Sequence, residues 1–144
     1  MKAELTQHSE PGSTPAQVVL EFYAALRDRR IGDILALTDP QVVCHALVRP
    51  GLSVYHGHDG MIRLSEGMHA THGEYDFVAD QVSEDGDRVT VYVRILPGPG
   101  PGRQDLPVMS MFILHDGLIV SIESQPGISL AQFHPQPGPP RDVP

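Results

Sequence analysis

The chemistry this chain could perform rests mainly on its eight histidines and its single cysteine. Cys44 and His45 stand side by side, and a thiol next to an imidazole suggests a nucleophile with its base. Adjacent residues of a strand point to opposite faces, however, so these two side chains cannot meet, and Cys44 reads as structural. Four further histidines, His56, His58, His69 and His72, raise the question of a metal. His56 and His58 straddle Gly57, while His69 and His72 lie one helical turn apart and can share a face. That spacing matches no zinc pattern, and no glutamate stands where a His-x-His metal motif would want one. No metal is therefore expected, and His72 reads instead as a polar group of a pocket. The glycines between 98 and 102 have no lysine and no helix behind them, which excludes a phosphate-cradling loop.

Elements must hold these residues in place, and the sequence marks them. Thr14-Pro15-Ala16-Gln17 is a capping box with proline at the first helical position. Val18, Val19, Phe22, Tyr23, Ala25 and Leu26 follow at helical spacing, which gives Tyr23 a packing role on a broad apolar stripe. Gly32 is expected to end this helix, Asp33 to cap a short second one through Thr38, and Pro40 to stop it. Residues 41–48 then read as a strand, with a turn at Pro50-Gly51 and a short strand at Ser53–His56. Asp59 is expected to cap a third helix with Met61, Leu64 and Met68 on one face and Arg63, Glu66 and Ala70 on the other, closed by Gly73.

Four strands complete the pattern. Residues 75–83 lead through Asp85-Gly86 into 88–95, where Val89, Val91, Val93 and Ile95 alternate with Arg88, Thr90, Tyr92 and Arg94. Residues 108–114 and 118–124 flank Asp116-Gly117, a strong hairpin signal. Helices early and antiparallel strands late imply an α+β fold with the helices on one sheet face. A curved sheet around helices leaves a concave, mostly apolar pocket, the usual form of a small-molecule site. The expected domain spans residues 14–125, between a flexible N-terminus (1–13) and a proline- and glycine-rich, disordered tail (126–144).

Composition narrows the partners. Lysine and arginine total 10 against 18 acids, a formal charge of −8. So little positive charge leaves no counterion-displacing face for nucleic acid and little attraction to an anionic membrane. No apolar run reaches a spanning length and no signal-like start is visible, so a cytoplasmic protein is expected.

Several of these features together carry a resemblance. Phe22-Tyr23-Ala24-Ala25-Leu26, Gly32-Asp33-Ile34 and Thr38-Asp39-Pro40 precede the first strand. His56-Gly57-His58-Asp59-Gly60 opens the third helix, and residues 112–122 surround Asp116-Gly117. In this order the chain resembles the nuclear transport factor 2-like superfamily, and within it the SnoaL-like polyketide cyclases and ketosteroid isomerases. The resemblance implies a cone-shaped barrel, a curved and mostly antiparallel sheet wrapped around an N-terminal helix with two further helices.

It also implies site residues. The carboxylate with which ketosteroid isomerases remove a proton next to a carbonyl corresponds to His45, and imidazole is a competent base near neutral pH. The oxyanion-binding tyrosine corresponds loosely to Tyr23, with two extra residues before Gly32-Asp33, and the second donor, an acid in the isomerases, corresponds to Ser110. Both departures speak against steroid-type isomerisation. Arg94 lies opposite the valines, so the Asp-Arg-Asp arrangement of limonene epoxide hydrolase-like members is not visible.

The sequence leaves open which face of the first strand looks into the cone, Val43, His45 and Leu47 or Val42, Cys44 and Ala46. With the first set inward, the substrate-binding wall would comprise Val43 and Leu47, Val91 and Phe112 on the central strands, and Ile122 and Ser124 on the last. Tyr55 would stand at the mouth, with Met61, Met68 and His72 contributed by the third helix. The function expected is proton-transfer chemistry (isomerisation, cyclisation or dehydration) on a small hydrophobic carbonyl compound, without a cofactor, in a homodimer. A non-catalytic ligand-binding or interaction domain of the same fold is the alternative.

Overall fold

The computed structural model describes residues 13–46, 53–99 and 104–127. Leu47, the Pro50-Gly51 turn and nearly all of both expected terminal segments lie outside the described residues.

Helix α1 (Pro15–Arg27) starts as the capping box requires. The Thr14 hydroxyl accepts from the Gln17 amide at 3.1 Å, and the Thr14 amide donates to the Gln17 side-chain carbonyl at 2.8 Å. Its apolar stripe is buried throughout. The expected break comes earlier than Gly32. Arg29 adopts a left-handed φ of 58°, and the chain re-enters helix at once as α2 (Ile31–Leu37). Gly32 and Asp33 therefore lie inside α2 and neither ends nor caps a helix. The Asp33 carboxylate instead pairs with the Arg30 guanidinium one turn back.

Strand β1 (Thr38–Ala46) begins directly after α2, so Pro40 lies within a strand and does not precede one. Its register against the neighbouring strand shifts between Thr38 and Val43, the kind of irregularity that accommodates a residue without an amide proton. Strand β2 (Ser53–His56) is as expected. Helix α3 (Gly57–His72) starts two residues before Asp59 and closes at Gly73. Met61, Leu64 and Met68 are buried on its inner face. At the α3 entrance a His58 ring nitrogen lies 3.0 Å from the Thr38 carbonyl oxygen, which ties the helix to β1.

Strands β3 (Asp76–Asp85), β4 (Arg88–Leu96), β5 (Leu106–His115) and β6 (Leu118–Pro126) form two hairpins. Asp116 and Gly117 both have positive φ (52° and 80°), as a tight turn matched to strand twist demands. The sheet order is β2-β1-β6-β5-β4-β3, antiparallel throughout except for the parallel β1–β6 pair. β6 runs to Pro126, which pairs with Val108, slightly past the expected domain end.

One face of this sheet is the core. Val42, Cys44 and Ala46 of β1 join Val89, Val91, Val93 and Ile95 of β4, and Val108, Phe112 and Leu114 of β5, all buried. Helix α1 crosses β3, β4 and β6, while α3 covers β1 and β2. Phe22 and Tyr23 lock α1 onto the sheet, their rings edge-to-face with Phe112 at centroid separations of 5.9 and 5.6 Å. Among the described residues no helix is long and apolar enough to cross a membrane.

Candidate functional site: a hydroxyl-floored pocket

Between α1, α3 and the inner sheet face lies a cavity of about 50 Å³. Its walls are apolar, with Phe22 and Leu26 from α1, Leu64 and Met68 from α3, and Ile95, Phe112 and Ile122 from the sheet. Polar atoms converge on one side. Ser110 of β5 and Ser124 of β6 are cross-strand partners, which brings their hydroxyl oxygens to 2.8 Å. Tyr23 descends from α1 and brings its phenol beside Ser110, whose hydroxyl offsets part of the effect of burial on it. A buried phenol left without a partner would cost about 1–3 kcal/mol, so the serine pair is also what allows a tyrosine on this stripe. The Cys44 thiol completes the polar edge.

The electrostatics are those of neutral donors. Burial pushes the Tyr23 phenol far above its ordinary value, and the Ser110 hydroxyl offsets only part of that. Burial likewise pushes the Cys44 thiol up to about 12. Both groups therefore stay protonated at neutral pH. No carboxylate or imidazole stands among the described residues that line the cavity.

This corrects the central expectation from the sequence. β1 turns Val42, Cys44 and Ala46 inward, so His45 and Val43 lie on the outer face of the sheet. His45 stands there beside Val54 of β2 and Glu123 of β6, half-buried, with Nδ1 shielded from solvent and without a hydrogen-bond partner among the described residues. It does not touch the cavity and cannot serve it as a base. Tyr55 packs against the core outside the cavity, where the Tyr55 carbonyl carbon would lie 2.8 Å from a Cβ at Gly60. Met61 and Val91 are core residues that do not reach the cavity. His72 is buried away from it beside the Tyr75 ring (centroids 6.1 Å apart), with His69 on the same ring at 4.8 Å. Among the described residues no three His, Cys, Asp or Glu side chains are placed to hold a metal ion.

Of the residues singled out from the sequence, Tyr23, Ser110, Met68, Phe112, Ile122 and Ser124 line this cavity. Cys44, Ala46 and Phe77 were missed: the first two lie on the β1 face not chosen, and Phe77 sits in a largely exposed edge strand. Arg94 does join two aspartates, but on the outer face. Its guanidinium forks onto Asp80 at 2.8 and 3.0 Å and reaches Asp105 at 3.1 Å, which fastens β3 to β4.

With fold and pocket defined, similarity to known proteins can be placed. Residues 19–122 match the SnoaL-like domain family, a span that includes the first hairpin, most of the second and most of the pocket wall. The chain belongs to the SnoaL-like domain family. No curated protein matches it in sequence.

Solved structures agree on the architecture of this SnoaL-like domain. An NTF2-like protein of unknown function from Burkholderia pseudomallei is 25% identical, with a TM-score of 0.64 over 78% of this chain and 90% of that one. A proposed polyketide cyclase from Sinorhizobium meliloti is 18% identical, with a TM-score of 0.64 over 75% and 93%. A proposed ketosteroid isomerase from Kribbella flavida is 16% identical, with a TM-score of 0.63 over 86% and 83%. These likenesses establish the NTF2-like fold of the SnoaL-like domain.

Proposed function

We propose that this SnoaL-like domain binds a small, mainly apolar molecule through one carbonyl oxygen seated on the Tyr23–Ser110–Ser124 hydroxyls. The observation that carries the reading is a converging set of neutral hydroxyls on one side of an otherwise apolar cavity, with O–H donors left over from the Ser110–Ser124 bond. A carbonyl oxygen has two lone pairs and no donor, and it complements such a set without carrying charge into the core. The relatives named for a polyketide cyclase and a ketosteroid isomerase fit a carbonyl-bearing ligand. Among the described lining residues no carboxylate or imidazole stands as a proton acceptor, which favours binding and carbonyl polarisation over the isomerase reading. The cavity as folded has room for water and little more, so a ligand enters by displacing side chains, the flexible Met68 thioether among them.

Cyclohexanone and methylcyclohexane, matched in size but not in polarity, test this by ligand-observed NMR titration. Tyr23→Phe or Ser110→Ala is expected to weaken the ketone about tenfold and leave the hydrocarbon within about twofold, the scale of one lost hydrogen bond. Equal losses for both ligands, or no loss, would overturn the reading.

The outer sheet face suggests the assembly. Tyr92, Met109, Met111 and Ile113 lie half-buried there among Thr90, Ser121 and Glu123, a mixture suited to an isologous contact. We propose a homodimer through this face. Light scattering after size exclusion is expected to give twice the chain mass at micromolar concentration, and Met111→Lys to halve it. A wild-type monomer refutes the proposal.

A further inference from the structure

We propose that Phe77 sets the length of ligand this domain accepts, and that the ligand is an elongated, neutral carbonyl compound whose apolar tail leaves between α1 and β3. The inference rests on the binding reading above and adds where the rest of the molecule goes.

A second cavity, of about 120 Å³, lies beside the first. One of its walls is a single stripe of α1, in which Leu20, Ala24 and Arg27 flank Tyr23 at helical spacing. The other is Phe77 and Ala79 of β3, with Val93 of β4 behind them. Tyr23, Phe77 and Val93 line both cavities, so the two spaces are separated by side chains and not by backbone. The partition itself is a ring pair, Tyr23 and Phe77, edge-to-face with centroids 4.7 Å apart.

The two rings differ in freedom. Tyr23 is buried and braced by Phe22 and Phe112, with Ser110 beside its phenol. Phe77 is half-buried on β3, the edge strand of the sheet, with one further ring contact, to Tyr75 at 5.1 Å. Turning Phe77 aside gives up an edge-to-face contact, which a few methylenes buried in its place offset. The two spaces then become one passage from the serine hydroxyls to the surface.

The outer slot also states what it takes. It is open because Ala24 and Ala79 are small, and the rim residue Leu20 is apolar and 41% exposed. The one charge at the rim, the Arg27 guanidinium, is engaged by Asp28 at 2.9 Å and Asp76 at 3.2 Å. A slot with apolar walls, whose rim cation is already paired, suits an uncharged aliphatic tail.

Methyl ketones from butanone to decanone, titrated by ligand-observed NMR, read this directly as the ratio of long-chain to short-chain affinity. In the wild-type chain affinity is expected to rise about fourfold per methylene once the tail enters the slot. Ala79→Leu, at an exposed strand position, fills the slot and is expected to flatten the rise, lowering the decanone-to-butanone ratio at least tenfold. Phe77→Ala removes the partition and is expected to raise that ratio, with Phe77→Leu as the milder change should alanine unfold the edge strand. If Ala79→Leu leaves the chain-length dependence unchanged while binding still depends on Ser110, the tail goes elsewhere and this inference fails alone. If no ketone binds in a Ser110-dependent way, the underlying binding reading falls and takes the inference with it.

Discussion

Phe112→Ala is expected to lower the free energy of unfolding by about 3–5 kcal/mol, the range for removing a fully buried phenylalanine. Phe112 is 1% exposed in the middle of β5, between Val89 of β4 and Ile122 of β6. Its ring is the surface on which both Phe22 and Tyr23 of α1 rest, so its loss loosens the helix as well as the sheet. The void would merge with the existing cavity, whose rigid strands on one side leave little room for collapse. Against a total stability of about 5–15 kcal/mol for a domain of this size, that is a third or more. Phe112→Leu, which keeps most of the volume, is expected to cost less than about 2 kcal/mol. Met111→Ala next to it faces outward and serves as the control, within about 1 kcal/mol of wild type if measured as monomer. Denaturant midpoints at constant slope settle the matter. A Phe112→Ala loss below about 1 kcal/mol would show that α1 is held by something other than this ring cluster.

How much of this was legible in the sequence depends on how asymmetric each element is. β4 alternates valines with charged and polar residues, so its buried face could be read without ambiguity. β1 offers Val42, Cys44 and Ala46 against Val43 and His45, both sets apolar enough to be core, and alternation alone cannot rank them. His45 was expected in the pocket from its correspondence to the isomerase base, and that symmetry left the choice of face open; pairing with β6 and contact with α3 fix the opposite one. Ser110 was placed by its correspondence to the isomerases' second donor and Ser124 by sharing the Ile122 face of the last strand, and the hairpin register makes the two neighbours. Phe77 was missed for the converse reason: Asp76, Asp80 and Gln81 mark β3 as a solvated edge, and only the approach of α1 gives Phe77 and Ala79 a wall to build. At the α1–α2 junction Gly32 and Asp33 have the residue types of a stop and a cap, yet the left-handed turn falls on Arg29. An arginine gives no sign that it will adopt positive φ. Helices with capping boxes, and turns with Asp-Gly, carry their instructions within four residues. Pocket walls are assembled from residues far apart in the chain and are fixed only when the layers meet.

Alkaline pH should destabilise this domain, and much of the cause lies in the pocket. Cys44 ordinarily loses its proton near 9.0, but burial in the fold raises that to about 12. Between those values the unfolded chain holds a thiolate and the folded chain a thiol, so the folded state binds more protons. Stability then falls as pH rises: the contribution is intact below about pH 9 and is exhausted near pH 12. Three pH units at about 1.4 kcal/mol each amount to roughly 4 kcal/mol from Cys44 alone. Tyr23 and Tyr75 add to the loss above pH 10.0, their ordinary value, since burial raises both in the same direction. Chemical denaturation at successive pH values is expected to show a gentle decline from about pH 9 and a steep one above about pH 10. Cys44→Ala should remove the first part, and Tyr75→Phe should shallow the second. The same burial predicts that the native thiol reacts with a disulfide reagent about a thousandfold more slowly than an unfolded-chain thiol, in proportion to the thiolate available. A native chain that labels at the unfolded rate, or a stability curve flat to about pH 11, would mean that water reaches Cys44. The pocket would then be an open cleft and not an enclosed, water-poor site, and the case for neutral hydroxyls gripping a carbonyl would lose its dielectric argument.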